Sequence, residues 1–333
     1  WLWLARACEG DDAAAGGALD RVLAAEPRNI VALVMKGDIV ARTGDDRAAG
    51  SFYGLAWNSA QAAQRTPAIA EALARAEAAL AEVSTRYVAH LRGTLAEVDA
   101  GPRFAEAVAI VAGEKQPYFQ APTSFFYPGL PHIQFYDPAG FAWAAELEGA
   151  VPAIRAELEA AMAGDAGFKP YVEADPTRAN NGHKLLGDPS WSAFYLWENG
   201  ARVTANADRC PATMAALADL PIPVIARRSP MALFSVLKPG THIEPHNGML
   251  NTRLIVHLPL IVPPDCRLRV GNDLRAVEAG KLMMFDDSIQ HEAWNDSTET
   301  RVVLLFEVWR PELSVAERDA LTRLFEATGS YGA

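Results

Sequence analysis

The sequence predicts an α+β chain, helical in its first third and built of short strands, as a sandwich or jelly roll, in its last. Three observations carry this. Residues 1–98 are alanine-rich with apolar positions at helical spacing. From Arg227 onward, short apolar runs alternate with Gly/Pro turns and no helix is expected between them. Between these regions, Lys115 to Pro138 holds five prolines and seven aromatics, which suits an extended segment and not a helix. The expected division is therefore a helical region, 1–114, and a strand-rich domain with flanking helices, 115–333.

Size and composition bound the function. The chain has 333 residues, half of them hydrophobic, enough for one large core or two domains. A net charge of −11 argues against a nucleic-acid partner, because phosphate binding needs a basic face. Cys8, Cys210 and Cys266 are far apart and form no CxxC, so free thiols in a reducing, cytoplasmic compartment are expected. No run approaches the ~20 apolar residues of a membrane span, and Trp1-Leu2-Trp3-Leu4 is too short for a signal peptide.

The helical part carries a faint period. Ala15, Leu19 and Val22 recur 34 residues later as Ala49, Tyr53 and Ala56. Gly37 falls where close helix packing wants a small residue, and Gly44-Asp45 where a helix pair would turn over. Such a period is similar to a degenerate tetratricopeptide (TPR) repeat. Pro67 opens a long helix, Ala68 to Val98, that Ala100-Gly101-Pro102 stops, and a short helix, Arg103 to Gly113, follows. After the aromatic segment, Phe141, Ala144, Leu147, Val151, Ile154 and Leu158 predict one helix ending near Gly164. Trp191 to Trp197 alternates as a strand, Asn199-Gly200 turns, and Cys210 to Leu220 reads as a short helix. His183 and Lys184 lie in the polar loop between.

Strands are then expected at Ala232–Leu237, Arg253–Leu260, Leu268–Gly271, Lys281–Phe285 and Arg301–Trp309. His246 follows a proline-containing turn, and His291 follows the polar run Asp286-Asp287-Ser288. Two neutral imidazoles suit a borderline metal such as Fe(II) and leave positions open for a co-substrate. The carboxylate that usually completes such a triad would stand two residues after the first histidine. That position is Gly248, which on the residues alone counts against a metal. Arg253, Ile255 and His257 share one strand face. Arg301 opens a nearly all-apolar strand and needs an anionic partner: an internal carboxylate (Asp286, Asp287 or Glu307) or a dicarboxylate ligand. Ser235 can donate a hydroxyl to the same ligand.

The run Ser235…Lys238-Pro239-Gly240-Thr241-His242…Pro245-His246-Asn247-Gly248…Asn251-Thr252-Arg253-Leu254…His257 resembles the aspartyl/asparaginyl β-hydroxylases. So do Phe285-Asp286-Asp287-Ser288…His291-Glu292…Trp294 and Arg301…Trp309. The resemblance implies a double-stranded β-helix (cupin-like jelly-roll) oxygenase domain using Fe(II), 2-oxoglutarate and O2. Family members hold iron through two histidines, with glycine in place of the carboxylate, which implies His246 and His291 as metal ligands. It also implies Ser235 and Arg301 at the distal carboxylate of 2-oxoglutarate, and His257, with Arg253, near its other carboxylate. Ile255 stands where animal members carry an arginine. The implied activity is β-hydroxylation of Asp or Asn in a peptide or protein that enters beside the Tyr118–Tyr136 segment. Lys184, Arg202 and Arg253 are the cations expected to meet its carboxylate. The same chemistry on a lipid acyl chain or a free amino acid, and a non-catalytic cupin-like sensor, are the alternatives.

Overall fold

The computed structural model describes residues 1–8, 10–61, 66–164, 167–174 and 184–331. The chain divides into two compact units, Trp1–Gln116 and Pro117–Ala333.

The first unit is helical: α1 (Leu2–Ala7), α2 (Asp12–Ala25), α3 (Ile30–Arg42), α4 (Asp46–Ala60), α5 (Pro67–Thr94) and α6 (Pro102–Val111). Short polar side chains set the starts. Asp11, Asn29 and Asp45 each accept a hydrogen bond from a backbone N–H three residues on, and Thr66 caps a helix whose first residue is Pro67. Gly44 turns the chain between α3 and α4 at φ +82°. Of the residues 34 apart, Ala15 and Leu19 on α2 are buried like Ala49 and Tyr53 on α4, whereas Val22 is half-buried and its counterpart Ala56 is fully buried. Gly37 is needed because a Cβ there would lie 2.6 Å from the Tyr53 ring.

The second unit opens with a loop, then β1 (Phe135–Tyr136), a 3-10 turn (Pro138–Gly140), α7 (Ala144–Gly149) and α8 (Val151–Ala163). The single helix expected over Phe141–Gly164 is thus two. Pro152 lacks the N–H and sterically opposes a continuous helix, so the second helix restarts with proline in its first turn. Next come β2 (Lys169–Pro170), β3 (Trp191–Glu198), β4 (Ala201–Arg202), α9 (Thr204–Ala207) and α10 (Pro211–Leu217). The remainder is β5 (Ala232–Leu237), β6 (Thr241–His246), β7 (Arg253–Ile261), β8 (Cys266–Val270), β9 (Asp273–Ala276), β10 (Met283–Phe285), β11 (His291–Asn295), β12 (Arg301–Trp309) and α11 (Val315–Ser330).

Two sheets face each other. One runs β1-β10-β7-β12-β5-β3-β2, with β4 beside β3; the other runs β6-β11-β8-β9. From β5 to β12 the chain alternates between them, apart from the β8–β9 hairpin within the small sheet, and these strand pairings are antiparallel. That alternation is the double-stranded β-helix, a jelly roll. The large sheet is covered on both faces, so its strands read as unbroken apolar runs. Its outer face packs Phe194, Phe234, Val256 and Leu304 on Leu147, Ile154 and Leu158 of α7 and α8. Its inner face packs Leu233, Ile255 and Leu305 on Ile243, Leu268 and Ala293 of the small sheet.

Three features were not expected from the sequence. β6 and β11 are strands, and His246 ends β6 instead of following a turn. Pro245 is tolerated because β6 is a sheet edge. The helix α11 closes the chain behind a capping box, Ser314 with Glu317. Cys8, Cys210 and Cys266 are free thiols, and no described helix is long and apolar enough to cross a membrane.

Candidate active site

Register brings the chemistry together. His246 and His291 stand opposite each other on β6 and β11, next to a bulge, with ring centroids 4.1 Å apart. The Nδ1 of His246 lies 2.8 Å from the Glu244 carbonyl, and the Nδ1 of His291 lies 3.0 Å from that of Ile289. A carbonyl only accepts, so each Nδ1 carries the proton and each Nε2 the lone pair. Burial, and then the neighbouring His246, push the His291 pKa down to about 3, so this ring is neutral at physiological pH.

The large sheet supplies the opposite wall. Arg301 pairs with Leu237, Val303 with Ser235, and Leu305 with His257. Period-two alternation therefore puts Arg301, Ser235 and His257 on one inner face. Ser235 Oγ accepts from Trp191 Nε1 at 3.1 Å, and Trp191 is held by stacking on Tyr171. Arg301, Ser235, His257, Trp191 and Tyr171, with both histidines, line one cavity of about 890 Å³, within the usual range for small-molecule sites.

Arg301 is the most informative residue. It is 3% exposed, makes no ion pair among the described residues, and its Nε is buried without a hydrogen-bond partner. Burial lowers its pKa to about 10. His257 is likewise buried with Nδ1 unsatisfied, and burial followed by the Arg301 charge keeps its pKa well below the ordinary range. The internal carboxylates available to Arg301 are taken by other arginines. Asp286 pairs with fully buried Arg310 at 2.8 Å, while Asp287 and Glu307 both pair with Arg253.

The other expected cations fall elsewhere. Lys184 is exposed and pairs with Glu244, and Arg202 pairs with Asp208; neither lines the cavity. His183 lies outside the described residues. Arg253 lines the cavity, but two carboxylates already neutralise it: burial opposes its charge, and Glu307 and Asp287 outweigh that. The aromatic segment is also misplaced as an entrance. Phe135 and Tyr136 are core residues, and none of Tyr118 to Tyr136 lines the cavity. Its outer rim is instead formed by Tyr171, Val172, the Ala226–Arg228 loop and the end of α11.

Asp287 is a site residue that spacing did not single out. A Cβ at Gly248 would collide with its carboxylate, so a side chain at the third triad position has no room. Burial raises the Asp287 pKa to about 6, only partly offset by Arg253, and Oδ1 has no partner. Among the described residues no group of three or more His, Cys, Asp or Glu could hold a metal ion. Glu307 was legible in principle, as an acid within an otherwise apolar strand.

The sequence model of the aspartyl/asparaginyl beta-hydroxylase family matches residues 148–311. An ornithine lipid ester-linked acyl 2-hydroxylase of Rhizobium tropici is 36% identical over 193 residues, covering 57% of this chain and 65% of that protein. The aspartyl/asparaginyl beta-hydroxylase of Homo sapiens is 38% identical over 132 residues, 39% of this chain and 17% of the human protein. The chain thus spans under two thirds of either relative. A solved Pseudomonas putida prolyl-4-hydroxylase aligns with a TM-score of 0.29 at 16% identity, covering 48% of this chain and 88% of that one. The segment that holds the paired histidines and the glycine beside Asp287 is thus similar, over residues 148–311, to the aspartyl/asparaginyl beta-hydroxylase family.

Proposed function

We propose that the protein is an Fe(II)- and 2-oxoglutarate-dependent dioxygenase that hydroxylates the β-carbon of Asp or Asn in a peptide or protein. The observation that carries this is Arg301, a buried cation with no counter-ion among the described residues, facing the same cavity as the two histidines. An isolated buried charge is costly, so the fold is complete only with an anion beside it. The Ser235 hydroxyl and the unsatisfied His257 Nδ1 add hydrogen-bonding groups around the same space. A dicarboxylate fits this set, one end at Arg301 and Ser235 and the other toward His257 and the histidine pair.

The residues present fit the metal as well. Two imidazoles with pinned Nδ1 atoms stand side by side on paired strands, an arrangement that suits a borderline divalent ion. When bound, iron with 2-oxoglutarate and oxygen supplies the oxidising power for inserting one oxygen atom into a C–H bond, the co-substrate leaving as succinate and carbon dioxide. The chain's own part is positional. Arg301 and Ser235 orient the co-substrate, the stacked Trp191 and Tyr171 keep Ser235 in place, and the apolar wall excludes water.

A second reading is the same chemistry on a lipid acyl chain. It is favoured by the Rhizobium relative, which matches more of this chain than the human protein does, and by Ile255, an apolar residue on the cavity wall. The deciding assay supplies purified protein with Fe(II), 2-oxoglutarate and an Asp- or Asn-containing peptide. Succinate and a peptide heavier by one oxygen atom are expected, and His246→Ala or His291→Ala should abolish both. Full activity of the His291→Ala protein would show the metal assignment to be wrong. Turnover of an acyl-chain substrate but of no peptide would select the second reading.

A further inference from the structure

Four arginines line the cavity: Arg227, Arg228, Arg253 and Arg301. Arg253 is neutralised by Glu307 and Asp287, and Arg301 lies on the strand face beside Ser235 and His257. Arg227 is exposed at the rim. Arg228 is different from all three. It is half-buried, makes no ion pair among the described residues, and its guanidinium carbon sits 4.5 Å from the centroid of the Phe325 ring on α11. An aromatic face holds a guanidinium without neutralising it.

The loop that carries Arg228 is firmly placed. Ile225 and Ser229 exchange backbone hydrogen bonds of 2.9 and 3.0 Å, and the Arg228 N–H donates to Ile225 O at 3.1 Å. The Ser229 hydroxyl donates to Glu307, and Gly200 N donates to Pro230 O at 3.1 Å. Gly200 packs so closely that a Cβ there would stand 2.8 Å from Ile225 O. Arg228 is therefore presented to the cavity in a prepared position, so little ordering cost remains for binding.

Resting on the peptide-hydroxylase reading above, we propose that Arg228 anchors the substrate. Its guanidinium binds a carboxylate of the peptide, supplied by the target aspartate itself or by an acidic residue next to it. One planar fork with two parallel donors matches one carboxylate. The cations that the sequence nominated for this task, Lys184, Arg202 and Arg253, already hold carboxylates of the chain.

The test uses the full chain and four peptides: Asp or Asn as target, each with Glu or Gln beside it. Hydroxylation is read by mass, and equilibrium binding of the labelled peptides is read by anisotropy without oxygen. Arg228→Gln should lower the acidic-to-neutral ratio of kcat/KM, and of affinity, at least about tenfold, the worth of one charged hydrogen bond. Arg228→Lys should keep most of the ratio, and Arg228→Glu should invert it in favour of the neutral peptides. A ratio lost between Asp and Asn targets identifies the target's own carboxylate; one lost between Glu and Gln neighbours identifies the flanking residue. If Arg228→Gln weakens all four peptides alike, or none, the anchor assignment fails while the peptide reading stands. A wild-type protein that neither binds nor hydroxylates any of the four sinks the peptide reading and the anchor with it.

Discussion

Arg301 and Gly248 are the two residues whose behaviour is most directly set by their surroundings. Arg301 is charged, buried and without a counter-ion among the described residues, so it weakens the unliganded fold. Arg301→Leu should leave the unliganded protein at least as stable as wild type in a thermal melt. It should also remove the stabilisation by 2-oxoglutarate, which for wild type is about 2.7 kcal/mol at one hundred times Kd. A shift retained in the variant would mean that the anion binds elsewhere. Gly248 touches the Asp287 carboxylate that Arg253 holds. Gly248→Ala should therefore cost about 1–3 kcal/mol in urea unfolding, the usual cost of overpacking. It should also disturb the Arg253–Asp287 pair beside the histidines. An unchanged unfolding midpoint would show that Asp287 moves aside freely.

Among the elements, strand register decides most. Ser235, His257 and Arg301 come from three strands and share a face only because β5, β12 and β7 are neighbours in a defined register. A one-residue slip of any one of these strands would turn its residue away from the cavity. The strands covered on both faces were readable: Ala232–Leu237 and Arg301–Trp309 were expected with the observed bounds, because uninterrupted apolar runs have few other uses. β6 and β11 were not readable. Their residues, Thr-His-Ile-Glu-Pro-His and His-Glu-Ala-Trp-Asn, are mixed polar, and only pairing with each other makes them strands. In the helical unit, Gly37 lets α3 approach Tyr53 of α4. Gly37→Ala gains helix propensity but overpacks the ring, and the unit should lose about 1–3 kcal/mol. A rise in stability would show that Tyr53 can rotate away.

Across the molecule, the division at Gln116 and Pro117 separates a helical unit from the unit that contains every cavity-lining residue. A protein of residues 117–333 is expected to unfold cooperatively in urea and to retain 2-oxoglutarate-dependent turnover. Loss of turnover with cooperative unfolding preserved would assign the helices a part in binding the substrate.

The sequence by itself determined the fold class and the resemblance to the hydroxylase family. Those features rest on local periodicity and on a motif run contained within Ser235–Trp309. It did not determine which cations are available. Arg253 and Arg301 look alike along the chain, as arginines that open apolar strands. Only the tertiary structure hands Asp287 and Glu307 to Arg253, gives Asp286 to Arg310, and leaves Arg301 and Arg228 without an ion pair among the described residues. The physical reason is distance. An ion pair is made between side chains a few ångströms apart, 34 and 54 residues apart in sequence for the two partners of Arg253, and no local pattern encodes that choice.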